Sequence, residues 1–179
     1  MDQDGREYLK AFVNKFKEME IGRIEITFKK YQSVGELAPG DIALIEKAKL
    51  LAKSAYAPYS KFRVSAVACM SDGSFVEGTN QENASYPIGL CAERVLLAAA
   101  SSIAPGLSIT TMAITYQSDE VDTTAPIAPC GICRQSLLEF ESRFDHPMRV
   151  LLAGDLQVYE FESASLFLPL GFKPQHLGK

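Results

Sequence analysis

Stretches in which every second residue is apolar alternate along this chain with stretches whose apolar residues recur three and four apart, and this rhythm restricts the fold more than any other feature. Residues 7–19 carry Leu9, Phe12, Val13, Phe16 and Met19 at helical spacing, and Ile24, Ile26 and Phe28 then alternate as in a half-buried strand. After a turn over residues 35–41, with Asp41 as a candidate cap, Ile45, Ala48 and Ala52 mark the inner face of a helix over 42–55. The Val- and Ala-rich residues 63–70, the turn Ser71-Asp72-Gly73 and residues 74–78 predict a hairpin. Residues 91–101 form an Ala- and Leu-rich helix ended by Pro105-Gly106, and residues 110–116 a strand with Met112, Ile114 and Tyr116 in alternation. Residues 130–140 are expected to be helical after Pro129, residues 149–153 a strand, and Tyr159 and Phe161 alternate before the closing loop Leu168-Pro169-Leu170-Gly171-Phe172. Strands interleaved with helices predict a layered α/β domain whose mixed central sheet is flanked by helices. Residues 1–40 stand apart as a helix-plus-strand extension of unassigned role, ahead of a main domain over 41–179.

Charge and hydropathy narrow the partners. No apolar run approaches the roughly 20 residues of a membrane span. The start, MDQDGREYLKAF, lacks the basic-then-apolar layout of a secretory signal, so a cytoplasmic protein with no membrane partner is expected. A formal net charge of −4 with scattered basic residues, Lys29-Lys30 being the adjacent pair, disfavours a nucleic-acid partner.

The four cysteines are Cys69, Cys91, Cys130 and Cys133, and the histidines are His146 and His176 alone. A chain of 179 residues has core enough to fold without disulfide staples, so metal or catalytic use is the better reading. Cys69, inside the strand VSAVACM, reads as a small buried hydrophobe. Cys130-Gly131-Ile132-Cys133 stands late in the chain, after a proline, with Cys91 upstream at another predicted helix start. Three thiolates supply three of the four ligands of tetrahedral zinc, one ion per chain. A closed structural site needs a fourth protein ligand, whereas a catalytic site leaves that place to water. No well-placed fourth ligand is visible, which favours the open site. Glu93, two residues beyond Cys91, can then face the metal's water as a proton carrier without ligating. Three thiolates around Zn²⁺ leave a net negative charge, which helix N-termini, Arg94 or Arg134 could offset.

Cys91-Ala92-Glu93 followed by Pro129-Cys130-Gly131-Ile132-Cys133 resembles the zinc nucleoside and nucleobase deaminases. Pro58-Tyr59-Ser60-Lys61-Phe62, Asn80-Gln81-Glu82-Asn83, Tyr86-Pro87 and Leu168 to Phe172 narrow the likeness to the small cytidine deaminases, from about residue 42 onward. That resemblance implies a three-layer deaminase fold over 41–179 and hydrolytic deamination of cytidine and deoxycytidine, as in pyrimidine salvage. It also implies zinc on Cys91, Cys130 and Cys133, with Glu93 shuttling protons. Asn80 and Glu82 are expected on the ribose hydroxyls and Phe62 against the pyrimidine. Arg94 is expected to temper the thiolates, and Tyr59, Tyr86 and Phe172 to line the site, some from neighbouring subunits. The implied partners are a small pyrimidine nucleoside, water and three further copies in a homotetramer with shared active sites. Two rivals are a sister deaminase acting on an antibiotic nucleoside such as blasticidin S, and a non-catalytic zinc-stabilised interaction domain. Asn80, Glu82 and Arg94 speak against the first and Glu93 against the second.

Overall fold

The computed structural model describes residues 6–8, 12 and 20–178. The helix expected over residues 7–19 falls largely outside them. The described chain forms β1 (Lys29–Tyr31), α1 (Pro39–Ala52), β2 (Arg63–Met70), β3 (Phe75–Thr79), α2 (Ala92–Ile103), β4 (Ile109–Gln117), α3 (Gly131–Phe144), β5 (Arg149–Ala153) and β6 (Val158–Phe161). The six strands make one sheet in the order β1-β6-β5-β4-β2-β3. Only β4 and β5 are neighbours in parallel; every other pair is antiparallel. The sheet is mixed, as expected.

Strand periodicity sorts the core into two layers. Ala66, Ala68, Met70, Met112, Ile114, Val150 and Leu152 face α2 and α3 through Leu96, Ala100, Leu137 and Phe140. The residues between them, Val67, Ala113, Leu151 and Ala153, face α1 through Leu44, Ile45 and Ala48. Helices therefore cover both faces, and β2, β4 and β5 are apolar on both sides, which explains why residues 63–70 read as nearly continuous hydrophobics. The buried hydroxyls within this sheet are satisfied: Ser65 donates to Ala48 O at 2.6 Å and Thr115 to Ala153 O at 2.9 Å.

Two expectations shift. Helix α1 begins at Pro39 rather than residue 42, with Ala38 at the cap and no side-chain cap bond. Proline suits the first turn because its missing N–H would have no helical partner there. Asp41 instead makes a two-pronged ion pair with Arg149, one bond at 3.0 Å. Residues 24–28 do not form the expected strand. The register sets Lys29 opposite Glu160, one residue short of the end of β6, so only residues 29–31 find ladder partners. Ile24 and Ile26 are left exposed, while Phe28 rests on Tyr159 and Phe161 with ring centres 5.2 and 5.0 Å away.

A buried carboxylate fastens β1. Glu160 accepts from Tyr31 OH at 2.7 Å and Lys29 Nζ at 3.2 Å and lies 3.4 Å from Arg149. Burial pushes its pKa up, but the hydrogen bonds from Tyr31 and Lys29 and the Lys29 and Arg149 charges outweigh it, holding the carboxyl below the ordinary 4.5. A lowered folded pKa means that its stabilisation is present above pH 4.5 and fades as pH falls through the folded value. Glu160→Gln is therefore expected to destabilise the protein at pH 7 by about 1–3 kcal/mol. The gap to wild type should close below pH 4.5, as read from urea midpoints across a pH series.

Gly78, in β3, lies against the first turn of α2. A Cβ there would sit 2.5 Å from both Ala92 O and Leu96 N, so only glycine lets the strand approach this closely. Gly78→Ala must push α2 outward, with an expected loss of about 1–3 kcal/mol by thermal or urea unfolding.

Candidate metal centre and its cavity

Strands β3 and β4 both run antiparallel to β2 and therefore parallel to each other. The connections that follow them reach the heads of α2 and α3 at the same end of the sheet, where open α/β sheets place their ligands. Cys91 is the N-cap of α2 and Cys130 the N-cap of α3, with Cys133 in the first turn of α3. Cys91 Sγ lies 3.8 Å from Cys130 Sγ, which lies 3.4 Å from Cys133 Sγ, and all three fall within 4.8 Å of one another. A tetrahedral ion with metal–sulfur bonds of about 2.3 Å spaces its sulfurs about 3.8 Å apart, close to the Cys91–Cys130 and Cys130–Cys133 separations, so the trio suits zinc. Among the described residues no fourth Cys, His, Asp or Glu joins the group, which leaves one coordination position to a non-protein ligand. Cys69 lies elsewhere, in β2, with its Sγ 3.6 Å from Met70 O.

Glu93 stands in the first turn of α2, only 4% exposed, and shares the wall of a cavity of about 500 Å³ with Cys91 and Cys130. Burial pushes its carboxyl pKa up; its own backbone N–H and the Cys133 thiol oppose the shift. Cys91 is drawn down to about 6, chiefly by the hydrogen bond from Cys133, with Arg94 assisting by charge against burial and Glu93. Cys133 is pushed up by the same hydrogen bond, by burial and by Glu93. Arg134 donates to Pro129 O at 2.8 Å and Phe167 O at 3.5 Å, so it braces the loop. Arg94 lies along a groove between α2 and α3.

The opposite wall comes from residues 56–62 and 80–90. Tyr56 N donates to Asn80 O at 3.1 Å, and Glu82 N to Tyr56 O at 2.8 Å. Gln81 exchanges two bonds with Leu90, at 2.8 and 2.9 Å. In this extended stretch Asn80 and Glu82 share a face, and Gln81 Nε2 donates to Thr79 Oγ1 at 2.9 Å. Asn80 Oδ1 accepts from Val64 N at 2.8 Å and its Nδ2 donates to Phe62 O at 2.9 Å. Glu82 Oε2 accepts from Tyr59 N at 2.8 Å and Ser60 N at 3.3 Å, and Oε1 accepts from Ser60 Oγ. Phe62, Asn80, Glu82, Tyr86 and Glu93 thus line one cavity. Tyr59, packed on Tyr86 at 6.2 Å, and Phe172, against His176 at 5.4 Å, lie outside its lining, and the Phe172 carbonyl accepts from Gln135 Nε2 at 2.7 Å.

Ser60 and Tyr116 also serve the site, without a role that the sequence assigns them. The Tyr116 ring stacks beneath Phe62 at 5.1 Å, and its hydroxyl lies within hydrogen-bond reach of Ala125 O at 2.8 Å and Asp122 O at 3.2 Å. It joins the base of the cavity to the loop that carries Ile127, Ala128 and Pro129 along the cavity wall. Gly154, at the β5–β6 turn, meets the same loop backbone to backbone: a Cβ there would lie 2.5 Å from Thr124 O. Only spatial neighbours reveal such roles; Ser60 had the sole local signal, as a hydroxyl inside the Pro58–Phe62 motif.

A family model described as the zinc-binding region of cytidine and deoxycytidylate deaminases matches residues 40–144. A cytidine deaminase of Halalkalibacterium halodurans is 42% identical over 114 residues, covering 64% of this chain and 82% of the relative. One from Mycobacterium tuberculosis is 40% identical over 108 residues, covering 59% of this chain and 77% of the relative. The crystal structure of cytidine deaminase from Burkholderia pseudomallei, 39% identical, covers 73% of this chain and 97% of its own with a TM-score of 0.59. Elemental analysis of the purified protein should therefore find one zinc per chain, and Cys133→Ala should lower that content toward none.

Proposed function

The chain belongs to the cytidine and deoxycytidylate deaminase family, and on that premise we propose that it hydrolyses cytidine and deoxycytidine to uridine and deoxyuridine with release of ammonia, using zinc. The observation that carries this reading is the meeting of three cysteine sulfurs at two helix heads, with buried Glu93 beside them on the wall of a nucleoside-sized cavity.

Zinc on Cys91, Cys130 and Cys133 would supply Lewis-acid chemistry, lowering the pKa of a water from about 15.7 toward about 7. The remaining work falls to side chains. Glu93 accepts a proton from the attacking water at its carboxylate and passes it to N3 of the pyrimidine. It then takes the second proton from the hydroxyl now on C4 and gives it to the amine, so that ammonia leaves as the C4–N bond breaks and the C4 carbonyl forms. Burial, which raises its pKa, keeps it able to hold a proton between these transfers. Phe62, braced by Tyr116, offers a ring face to the pyrimidine. Asn80 and Glu82, both facing the cavity, are the partners for ribose hydroxyls, which favours nucleosides over free bases. Arg94 offsets part of the thiolate charge, as its pull on Cys91 supports.

Exposed Tyr86, Ile88, Ile132 and Phe172 support an assembly of copies, a homotetramer in which Tyr59, Tyr86 and Phe172 serve neighbouring sites. Residues 1–40 form an extension to the catalytic domain over 41–179, and the bonds of Lys29 and Tyr31 to Glu160 support a structural role for its last part.

Zinc-replete wild type should deplete the ultraviolet absorbance of cytidine with matching ammonia release. Glu93→Ala should retain zinc and lose about 10²–10⁴-fold in turnover. A wild type inert towards cytidine would overturn the function, and a Glu93→Ala of ordinary activity would overturn the role given to Glu93.

A further inference from the structure

We propose that Ser60 is a positioning residue for nucleoside recognition, its hydroxyl locking the Glu82 carboxylate for a single ribose hydroxyl and tying it to the backbone of Phe62. The inference rests on the reading of Glu82 as the ribose contact. Phe62 N donates to Ser60 Oγ at 3.1 Å. An amide N–H can only donate, so Oγ is the acceptor there and its one proton is left for Glu82 Oε1. The direction of both bonds is thereby set, and each polarises the other.

With Tyr59 N and Ser60 N on Oε2, three donors already converge on this carboxylate. Of its roughly four lone-pair sites about one remains, on a side chain that lines the cavity, and it suits one hydroxyl. The donors also keep the carboxyl ionised: burial pushes its pKa up, but the Ser60 hydroxyl, the two amides and the Lys61 charge prevail and hold it below its ordinary value. Backbone conformation supports a built device. Lys61, between Ser60 and Phe62, sits at φ +56°, a region unfavourable to side chains other than glycine. The turn is closed by Lys61 N on Ala57 O at 3.2 Å and Lys61 Nζ on Pro58 O at 2.7 Å. Ser60 itself lines the cavity wall and is exposed, so a threonine methyl has solvent to enter.

The test uses zinc-loaded wild type, Ser60→Ala, Ser60→Thr and Glu82→Ala, with KM and kcat for cytidine and inhibition constants for uridine and uracil. Loss of a hydrogen bond to a charged group should raise the Ser60→Ala KM for cytidine and Ki for uridine about tenfold or more. Its kcat and its Ki for uracil, which lacks the ribose, should stay near wild type, and Ser60→Thr should restore both constants. Unchanged cytidine and uridine constants in Ser60→Ala would overturn the proposal. So would a loss shared equally by uracil, which marks general disorder of the cavity, or a Ser60→Thr as impaired as the alanine variant. A Glu82→Ala indistinguishable from wild type would instead overturn the ribose reading, and a wild type without cytidine turnover would overturn the function itself.

Discussion

β3 and β4 leave the sheet at the same end because each runs antiparallel to the strand between them. Everything chemical in this molecule follows from that direction. The two crossovers, β3 through α2 to β4 and β4 through α3 to β5, step the same way along the sheet, so a common hand lays both helices on one face. Their heads then meet, and a cysteine at each cap position needs no long side chain to reach its partner. Gly78 sets the remaining coordinate by letting β3 lie directly on the first turn of α2.

Concentrating thiolates and a carboxylate at one point runs against Coulomb repulsion. Helix N-termini relieve part of it, since both α2 and α3 begin at the sulfurs with their unpaired amides and partial positive charge. Arg94 adds a full charge within range of Cys91, while Arg134, next in sequence to Cys133, is engaged with the carbonyls of Pro129 and Phe167. The two arginines thus divide the work: Arg94 acts on Cys91 by its field, and Arg134 fixes the loop that delivers Cys130. Glu93 differs from the carboxylates of Glu82 and Glu160 in that its partners do not offset its burial, and that imbalance suits it to carry a proton.

Features written in local periodicity were legible in the sequence. Alternation located β4, the Val- and Ala-rich run located β2, Pro129 announced the head of α3, and the spacing of the cysteines and Glu93 marked the chemical centre. Features that depend on distant partners were not. The alternation of Ile24, Ile26 and Phe28 is as strand-like as any in the chain, yet β6 ends at Phe161 and denies it a ladder. Nothing near Tyr31 announces Glu160, 129 residues away. Tyr116 reads as an inward-facing strand residue, and its service to Phe62 follows only once β2 and β4 are paired. Ser60 was visible as part of a motif, but its proton had no destination until Glu82 was brought across from the end of β3.

Tyr116 and Gly154 together divide the long connection between β4 and α3 into unlike parts. From Asp122 onward the backbone is stapled to a buried phenol on one side and to the β5–β6 turn on the other. Asp119, Glu120 and Val121 ahead of it are exposed to solvent. An insertion in that short tip leaves the anchored backbone of Asp122 to Ala125 in place, whereas one within the anchored stretch would have to break its bonds to Tyr116 and to the β5–β6 turn. The connection can accordingly change length most easily at this exposed tip, which makes it the natural graft point for a tag.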